Sequence, residues 1–195
     1  SPVIISEKER KFNLYYNGHK PAKMTWKICE KFPVRQRKFT KLNNHCFFAA
    51  VEDQMTREIL GYTQHEQLSG RELRRIAGEH FEHLWRNNNP YICNAINTFL
   101  QVGQENDAGI HENFDMWLAI ERMKTTSKWA ESPFIEALSN YINCDIIILT
   151  PEGGFNHIKS SLTEEINTTR PPMYLGYQIH PRHYQTLEAL PGNNT

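Results

Sequence analysis

Cys46 lies at a place in the sequence that favours a reactive thiol. An apolar repeat with helical spacing begins at this residue and runs until Gly61, which predicts that Cys46 lies in the first turn of a helix. There, unpaired backbone N–H groups and the positive end of the helix dipole favour the thiolate over the thiol. The same amides can hold an oxyanion that develops on a carbonyl group under attack. These residues indicate nucleophilic catalysis by a thiol, with a buried structural cysteine as the alternative.

A thiol nucleophile needs a base that accepts its proton, and two late histidines are candidates. His183 begins a predicted strand, and His180 lies three residues before it in a short loop. The alternation of side chains around Tyr184 favours His183 as the base. A histidine on the surface of the strand is the alternative role for His183.

Helices precede strands along most of the chain. Ser69 is typical of a helix N-cap, and Ser132-Pro133 is typical of a helix start with serine as the cap. The apolar positions with helical spacing are Phe48, Val51, Met55, Ile59, Leu73, Ile76, Ala77, Leu84, Ile92, Ala95, Ile96, Phe99, Phe114, Trp117, Leu118, Met123, Phe134, Leu138, Tyr141 and Ile142. Apolar and β-branched runs predict strands over residues 144–150, 155–159, 173–179 and 183–187. This order predicts an α+β domain with helices packed on a small, mostly antiparallel sheet.

The chain has 195 residues, of which 39% are apolar, and this length and composition predict one globular domain. The apolar runs are too short to span a membrane, so no membrane partner is expected. Residues 1–41 contain eleven Lys or Arg and three acidic residues, although the net charge of the chain is zero. This segment lacks the interleaved aromatic residues of a nucleic-acid surface. We therefore expect a solvated arm, or one that lies against the acidic body of the protein.

The cysteine and histidine spacings argue against disulfides and metal sites. The four cysteines are far apart and form no CxxC pair, which favours a reducing compartment with at least one free thiol. His80 and His83 lie one helical turn apart but have no second pair of ligands, so no zinc site is predicted. No glycine-rich phosphate loop is present either, and no cofactor is expected.

Three segments resemble, in order, the motifs of the ovarian-tumour (OTU) family of deubiquitinases. Residues 43–51 resemble its cysteine loop, in which D-G-x-C precedes an aromatic or aliphatic pair and a helix. Residues 128–130, with the helix and strand that follow, resemble its W-G-G loop and central strand. Residues 174–177 and 183–187 resemble its final strand, loop and H-Y-N-S-[VL] element. The resemblance covers residues 41–190 and implies a papain-like, OTU-type fold with the sheet packed between helices.

The resemblance also implies roles for individual residues. His183 would be the general base for Cys46, and the backbone amides of Asn44 and Cys46 would form the oxyanion hole. Trp129 would pack beside the catalytic histidine and contact substrate, with a core tryptophan as the alternative. Tyr184, which follows the histidine, would be a second substrate-binding residue.

The residue that orients the histidine departs from the family pattern. Asn43 and Asn44 stand where the family usually has Asp and Gly, and Gln185 stands where Asn or Asp usually follows the histidine. An amide oxygen of Asn43 or Gln185 could accept the imidazole Nδ1–H and set the tautomer. An acidic residue from elsewhere could do the same, and a degenerate site that binds without cutting is the third alternative.

The activity implied is thiol-dependent hydrolysis of isopeptide bonds at the C-terminus of ubiquitin or a ubiquitin-like modifier. Ubiquitin or polyubiquitin would be the partner, in the cytoplasm, or in the host cytosol if the protein comes from a pathogen. The alternatives are an inactive OTU-like module that binds ubiquitin, and a papain-like protease, although the C-G-S-C-W signature is missing. Residues 1–40 are predicted as a basic, least regular extension packed on the domain, and residues 41–195 as the OTU-like catalytic domain.

Overall fold

The computed structural model describes residues 19–97, 116–125, 128–162 and 168–191. The predicted core positions Phe99 and Phe114 lie outside these residues, as does the beginning of the basic N-terminal segment. Residues 90–97 are helical. The other described helices are α1 (Lys23–Lys31), α2 (Cys46–Met55), the 3₁₀ helix Glu58–Leu60, α3 (Gly70–Arg86), α4 (Met116–Lys124) and α5 (Ser132–Ile142). None of these helices is long and apolar enough to cross a membrane.

The helix starts follow the local capping chemistry. Ser69 caps α3 as predicted, because its hydroxyl accepts a hydrogen bond from the Glu72 N–H at 3.2 Å and donates one to the Glu72 carboxylate. Helix α5 differs from the prediction by one residue, since Glu131 is the N-cap and Ser132 is already helical. The N–H groups in the first turn of a helix have no partner within the helix, so proline, which lacks an N–H, is tolerated at any position of that turn. Pro133 alone therefore does not show which residue is the N-cap.

Five strands form one mixed sheet in the order β1-β5-β4-β2-β3. The strands are β1 (Val34–Gln36), β2 (Ile146–Leu149), β3 (Phe155–Ile158), β4 (Met173–Gln178) and β5 (His183–Ala189). The β2–β3, β4–β5 and β1–β5 pairs are antiparallel. The pairing of β2 with β4 is parallel. The predicted α+β domain with a mostly antiparallel sheet is therefore confirmed.

The basic N-terminal segment contributes two elements to this fold. Helix α1 packs on β4 so closely that a Cβ atom at Gly176 would lie 2.8 Å from Ile28 Cδ1 and 3.0 Å from Met24 Cε. Strand β1 then pairs with β5 along its whole length. No helix or strand was predicted in this segment. A strand of three residues that includes an arginine is too short to show the alternation of apolar and polar residues that predicts a strand.

A buried ion network ties this segment to the rest of the domain. Arg37 donates to Asp53 in α2 at 2.8 Å and to Glu188 in β5 at 2.9 Å, and Glu188 also accepts from Arg35 at 2.7 Å. Asp53 accepts a further hydrogen bond from the Thr186 hydroxyl at 2.6 Å. Both carboxylates are thus paired and hydrogen-bonded, as charges removed from water must be. The network fixes α2, which carries Cys46, to β5, which carries His183.

Four of the apolar positions with helical spacing are exposed rather than part of the core. Ile59 is 51% exposed because α2 ends at Met55, before the predicted apolar stripe is complete. Trp117 and Leu118 lie on the outer side of α4, whose buried residues are Ile120 and Met123. Tyr141, on α5, is also exposed.

Asp145 gives the fold a testable pH dependence. It accepts hydrogen bonds from the Ser160 N–H and hydroxyl, both at 2.9 Å, and from His157 Nε2 at 2.8 Å. Burial opposes ionisation, but these hydrogen bonds hold the pKa of Asp145 below its ordinary value. Its contribution is full above the unfolded pKa of about 4 and is lost as the pH falls through the lowered pKa. We expect Asp145→Asn to lower the free energy of unfolding by about 1 kcal/mol at pH 7, and by progressively less as the pH falls below about 4, measured by urea denaturation.

Candidate active site

Cys46 is the first residue of α2 and is completely buried. Its Sγ atom accepts a hydrogen bond from the backbone N–H of Tyr184 at 3.3 Å. Tyr184 is the second residue of β5 and directly follows His183 in the chain. The structure therefore joins the start of α2 to the start of β5, as the two predicted catalytic residues require.

Asn43 builds the turn that leads into the helix. Its side-chain oxygen accepts from the His45 N–H at 2.9 Å, and its carbonyl oxygen accepts from the Cys46 N–H at 3.2 Å. This arrangement is an Asx turn, which asparagine forms readily. The Asn43 side-chain oxygen, which was considered as an acceptor for the imidazole Nδ1–H, therefore accepts a hydrogen bond within the loop instead. The Cys46 N–H, a predicted oxyanion donor, is likewise used within the turn.

His183 is buried without a hydrogen-bond partner. The residue is 2% exposed, and neither ring nitrogen makes a hydrogen bond with any described residue, the Cys46 thiol included. The ring lies 6.3 Å from the ring of Phe39, at an interplanar angle of 31°. Leaving buried polar atoms unpaired destabilises a fold by about 1 to 3 kcal/mol for each group, so such atoms call for a functional explanation.

Gln185 holds the loop that precedes the cysteine turn. Its side-chain oxygen accepts from the Thr40 N–H at 3.0 Å, and its amide group donates to the carbonyl of Lys38. Gln185 is two residues from His183 on the same strand, so both side chains lie on one face of β5. Burial lowers the pKa of His183.

His180, the competing candidate for the base, is exposed in the loop between β4 and β5. Both histidines line a cavity of about 710 Å³, together with the side chains of Phe39, Leu42 and Ile179. The cavity thus connects the buried imidazole of His183 to the protein surface.

The two predicted substrate-binding residues differ in their surroundings. Tyr184 is almost fully buried, and its ring packs against the rings of Phe47 and Tyr177 at 5.1 and 4.6 Å. The same tyrosine lines a second cavity, of about 390 Å³. Trp129 is half-buried with Arg182 stacked 5.9 Å above its ring, while the ring that packs next to His183 is Phe39.

The electrostatics of the site favour neutral forms of both groups. Burial raises the pKa of the Cys46 thiol, and the backbone amides of Tyr184, Phe47 and Cys46 itself, with the charge of Arg182, oppose this only in part. Because burial also lowers the pKa of His183, the resting pair is a thiol and a neutral imidazole. A neutral imidazole can accept the thiol proton when the attack occurs.

Arg74 also belongs to the site, although it was not predicted from the sequence. It lies in α3, is 1% exposed, and donates to the Asn44 carbonyl oxygen at 2.7 Å. A signal was present in the sequence, because Arg74 precedes Gly78 by four residues and Phe81 by seven. This spacing places all three on the same buried face of α3.

The described residues contain no group of three or more His, Cys, Asp and Glu side chains that could hold a metal ion. His80 and His83, considered above as ligands, stack with their ring centroids 5.9 Å apart. His80 Nε2 also lies 2.7 Å from the Asn140 side-chain oxygen. The four cysteines are free thiols.

The site thus combines a cysteine at a helix N-terminus with a buried histidine on the adjoining strand, the two residue types that cysteine proteases use as nucleophile and base. A family model described as "OTU-like cysteine protease" matches residues 43–185. The chain belongs to the OTU-like cysteine protease family, and the resemblance stated from the motifs is confirmed.

Several solved structures are similar to this chain. The OTUD1 OTU domain is 15% identical, with 80% of this chain and 85% of that one covered, at a TM-score of 0.49. An OTU domain in complex with ubiquitin is 12% identical, with coverage of 79% and 69% and a TM-score of 0.49. The viral OTU domain protease from Taggert virus is 10% identical, with coverage of 80% and 81% and a TM-score of 0.47. No curated protein sequence matches the chain.

Proposed function

We propose that the protein is a deubiquitinase that hydrolyses isopeptide bonds at the C-terminus of ubiquitin or a ubiquitin-like modifier. The observation that carries the proposal is the 3.3 Å hydrogen bond from the Tyr184 N–H to Cys46 Sγ, which joins the thiol to the strand of His183. Membership of a cysteine protease family over residues 43–185 supports it. The buried, unpaired imidazole of His183 supports it as well, because a base must be available to take a proton.

In the proposed mechanism, Cys46 Sγ attacks the carbonyl carbon of the isopeptide bond while His183 accepts the thiol proton. The tetrahedral intermediate collapses when the carbon–nitrogen bond breaks and His183 gives the proton to the leaving lysine amine. A thioester then joins Cys46 to the modifier. Water attacks this thioester with His183 as base, and the thiol and a free carboxylate are released.

The described state of the site is closed, and the proposal requires it to open. Both reacting side chains are buried, and the Cys46 N–H is bonded to the Asn43 carbonyl rather than directed at a substrate oxygen. Rearrangement of the turn at residues 43–46 would free that amide for an oxyanion. The cavity beside His183 supports entry of an extended C-terminal tail from that side.

The direct test uses ubiquitin with a thiol-reactive group in place of its C-terminal carboxylate. We expect the wild-type protein to form a covalent adduct that mass spectrometry assigns to Cys46, and Cys46→Ala to form none. Cys93→Ala is the matched control, because this half-buried cysteine lies outside the site and its loss should leave the adduct unchanged. An adduct that persists in Cys46→Ala would refute Cys46 as the nucleophile, and a folded wild-type protein that forms an adduct with neither ubiquitin nor ubiquitin-like modifiers would refute the proposal.

The closed site favours one alternative, an OTU-like module that binds ubiquitin without cutting it. A buried thiol with a raised pKa, and an imidazole that is not bonded to it, are what such a module would show. Calorimetric titration with unmodified ubiquitin separates the two candidates, because the binding module would bind ubiquitin and yet form no adduct. Adducts with ubiquitin-like modifiers, but none with ubiquitin, would instead indicate a protease of different specificity.

A further inference from the structure

Arg74 is a buried cation whose partners are not acidic. Its side chain is 1% exposed, and no carboxylate forms a salt bridge with it within the part of the chain that the structure describes. An isolated charge in a protein interior is strongly unfavourable unless something compensates it. Arginine at such a position therefore calls for an explanation beyond packing.

Three backbone carbonyl groups from three different segments compensate the charge. The guanidinium donates to Asn44 at 2.7 Å, to Lys128 at 2.8 Å and to Met123 at 3.3 Å, and it lies 4.6 Å above the ring of Phe48. Met123 lies in the last turn of α4, where the helix dipole favours a positive charge. The planar fork of arginine can reach several acceptors at once, which a lysine cannot do. Arg74 thus clamps the cysteine loop to α4 and to the segment that leads into Trp129.

The clamp fixes one peptide group just before the nucleophile. The Asn44 carbonyl and the His45 N–H belong to the same peptide plane. Arg74 holds the oxygen at 2.7 Å, and the Asn43 side chain holds the N–H at 2.9 Å. With both ends held, this peptide determines how the backbone enters α2 and where the Cys46 amide and thiol point.

We propose that Arg74 is a positioning residue for Cys46: it fixes the Asn44–His45 peptide, and its buried positive charge adds to the charge of Arg182 in favouring the thiolate. This inference rests on the proposed function only in taking Cys46 as the nucleophile. The coupling is reciprocal, because burial lowers the pKa of Arg74 and the charge of Cys46 raises it. Burial lowers the pKa of His45, the residue before Cys46, and the charge of Arg74 lowers it further.

The test measures the ionisation of Cys46 without using ubiquitin. Alkylation by iodoacetamide is followed by mass spectrometry of the Cys46 peptide across a pH series, in folded wild-type protein and in Arg74→Gln, which removes the charge but keeps an N–H donor. We expect the midpoint pH of alkylation to rise in Arg74→Gln, because one of the positive charges that favour the thiolate has been removed. Arg75→Met is the matched control. Arg75 is the next residue in the chain, but it is half-exposed and paired with Glu79, so its replacement should leave the midpoint pH unchanged.

Arg74→Lys separates the charge from the clamp. Lysine restores the charge but cannot span three carbonyl groups, so we expect a wild-type midpoint together with at least tenfold slower formation of the ubiquitin adduct. A wild-type midpoint in folded Arg74→Gln would overturn the electrostatic role, and a wild-type adduct rate in Arg74→Lys would overturn the clamp. If Arg74→Gln does not fold, Arg74→Lys still decides the second point. Failure of the proposed function would abolish adducts in every variant and leave the alkylation midpoints informative.

Discussion

Replacing His183 with alanine should lower kcat/KM for release of a fluorogenic group from the C-terminus of ubiquitin by about 10²- to 10⁴-fold, the usual contribution of a general base. The thiol keeps its proton in the resting site because burial raises its pKa, so the attack depends on a base. His180→Ala is the matched control. This histidine borders the same cavity but is exposed, and we expect its removal to lower kcat/KM far less than the removal of His183 does.

The pH dependence of the wild-type rate is a second test of His183 as the general base. Only a neutral imidazole can accept the thiol proton, so activity is lost as the pH falls through the pKa of His183. Burial lowers that pKa, and we therefore expect the rate to decline only below the ordinary histidine value of about 6.5. An acidic limb centred above that value, or equal losses in His180→Ala and His183→Ala, would contradict His183 as the buried base.

Arg37→Met should lower the free energy of unfolding by about 3 to 5 kcal/mol, because it leaves the buried Asp53 carboxylate without its cation. Asp53 would keep only the Thr186 hydroxyl, and Glu188 would keep only the partly exposed Arg35. Urea denaturation followed by circular dichroism measures the loss. Arg75→Met removes an arginine from an exposed pair on α3 and should change stability by less than about 1 kcal/mol.

A double variant distinguishes the loss of the ion pair from the loss of packing. Asp53→Asn removes the charge that Arg37→Met leaves unpaired, and the asparagine can still bond the Thr186 hydroxyl. We therefore expect Arg37→Met/Asp53→Asn to be more stable than Arg37→Met alone. If the double variant is less stable by the sum of both single losses, the network is not held together by the pairing of these charges.

The features predicted correctly are those encoded over a few neighbouring residues. The start of α2 at Cys46 follows from an apolar stripe, and the cap of α3 at Ser69 follows from a capping box. The hairpin strands β2 and β3 are an apolar run and its continuation after a glycine turn. Each of these features can be predicted without knowing how the rest of the chain folds.

The features that were missed depend on partners far away in the sequence. Strand β1 exists because β5 offers it an edge, and Trp117 is exposed because α4 turns its other side to the core. The spacing along α3 indicates that Arg74 is buried, but it does not show that the carbonyl groups of three separate segments surround the guanidinium. Gln185 was considered as a partner for the imidazole, yet its oxygen accepts the Thr40 N–H, 145 residues away. Contacts of this kind cannot be derived from local patterns.

The pairing of β1 with β5 has a consequence for how the protein is made. Arg35 and Glu188, which face each other across these strands, are 153 residues apart. Closing so long a loop is entropically unfavourable, and contacts of this kind form late in folding. A ribosome adds about 5 to 20 residues each second, so Cys46 is synthesised many seconds before the strand that completes its surroundings. Under the proposed function, the nascent chain has a cysteine but no protease, and activity begins only when β5 has left the ribosome and joined the sheet.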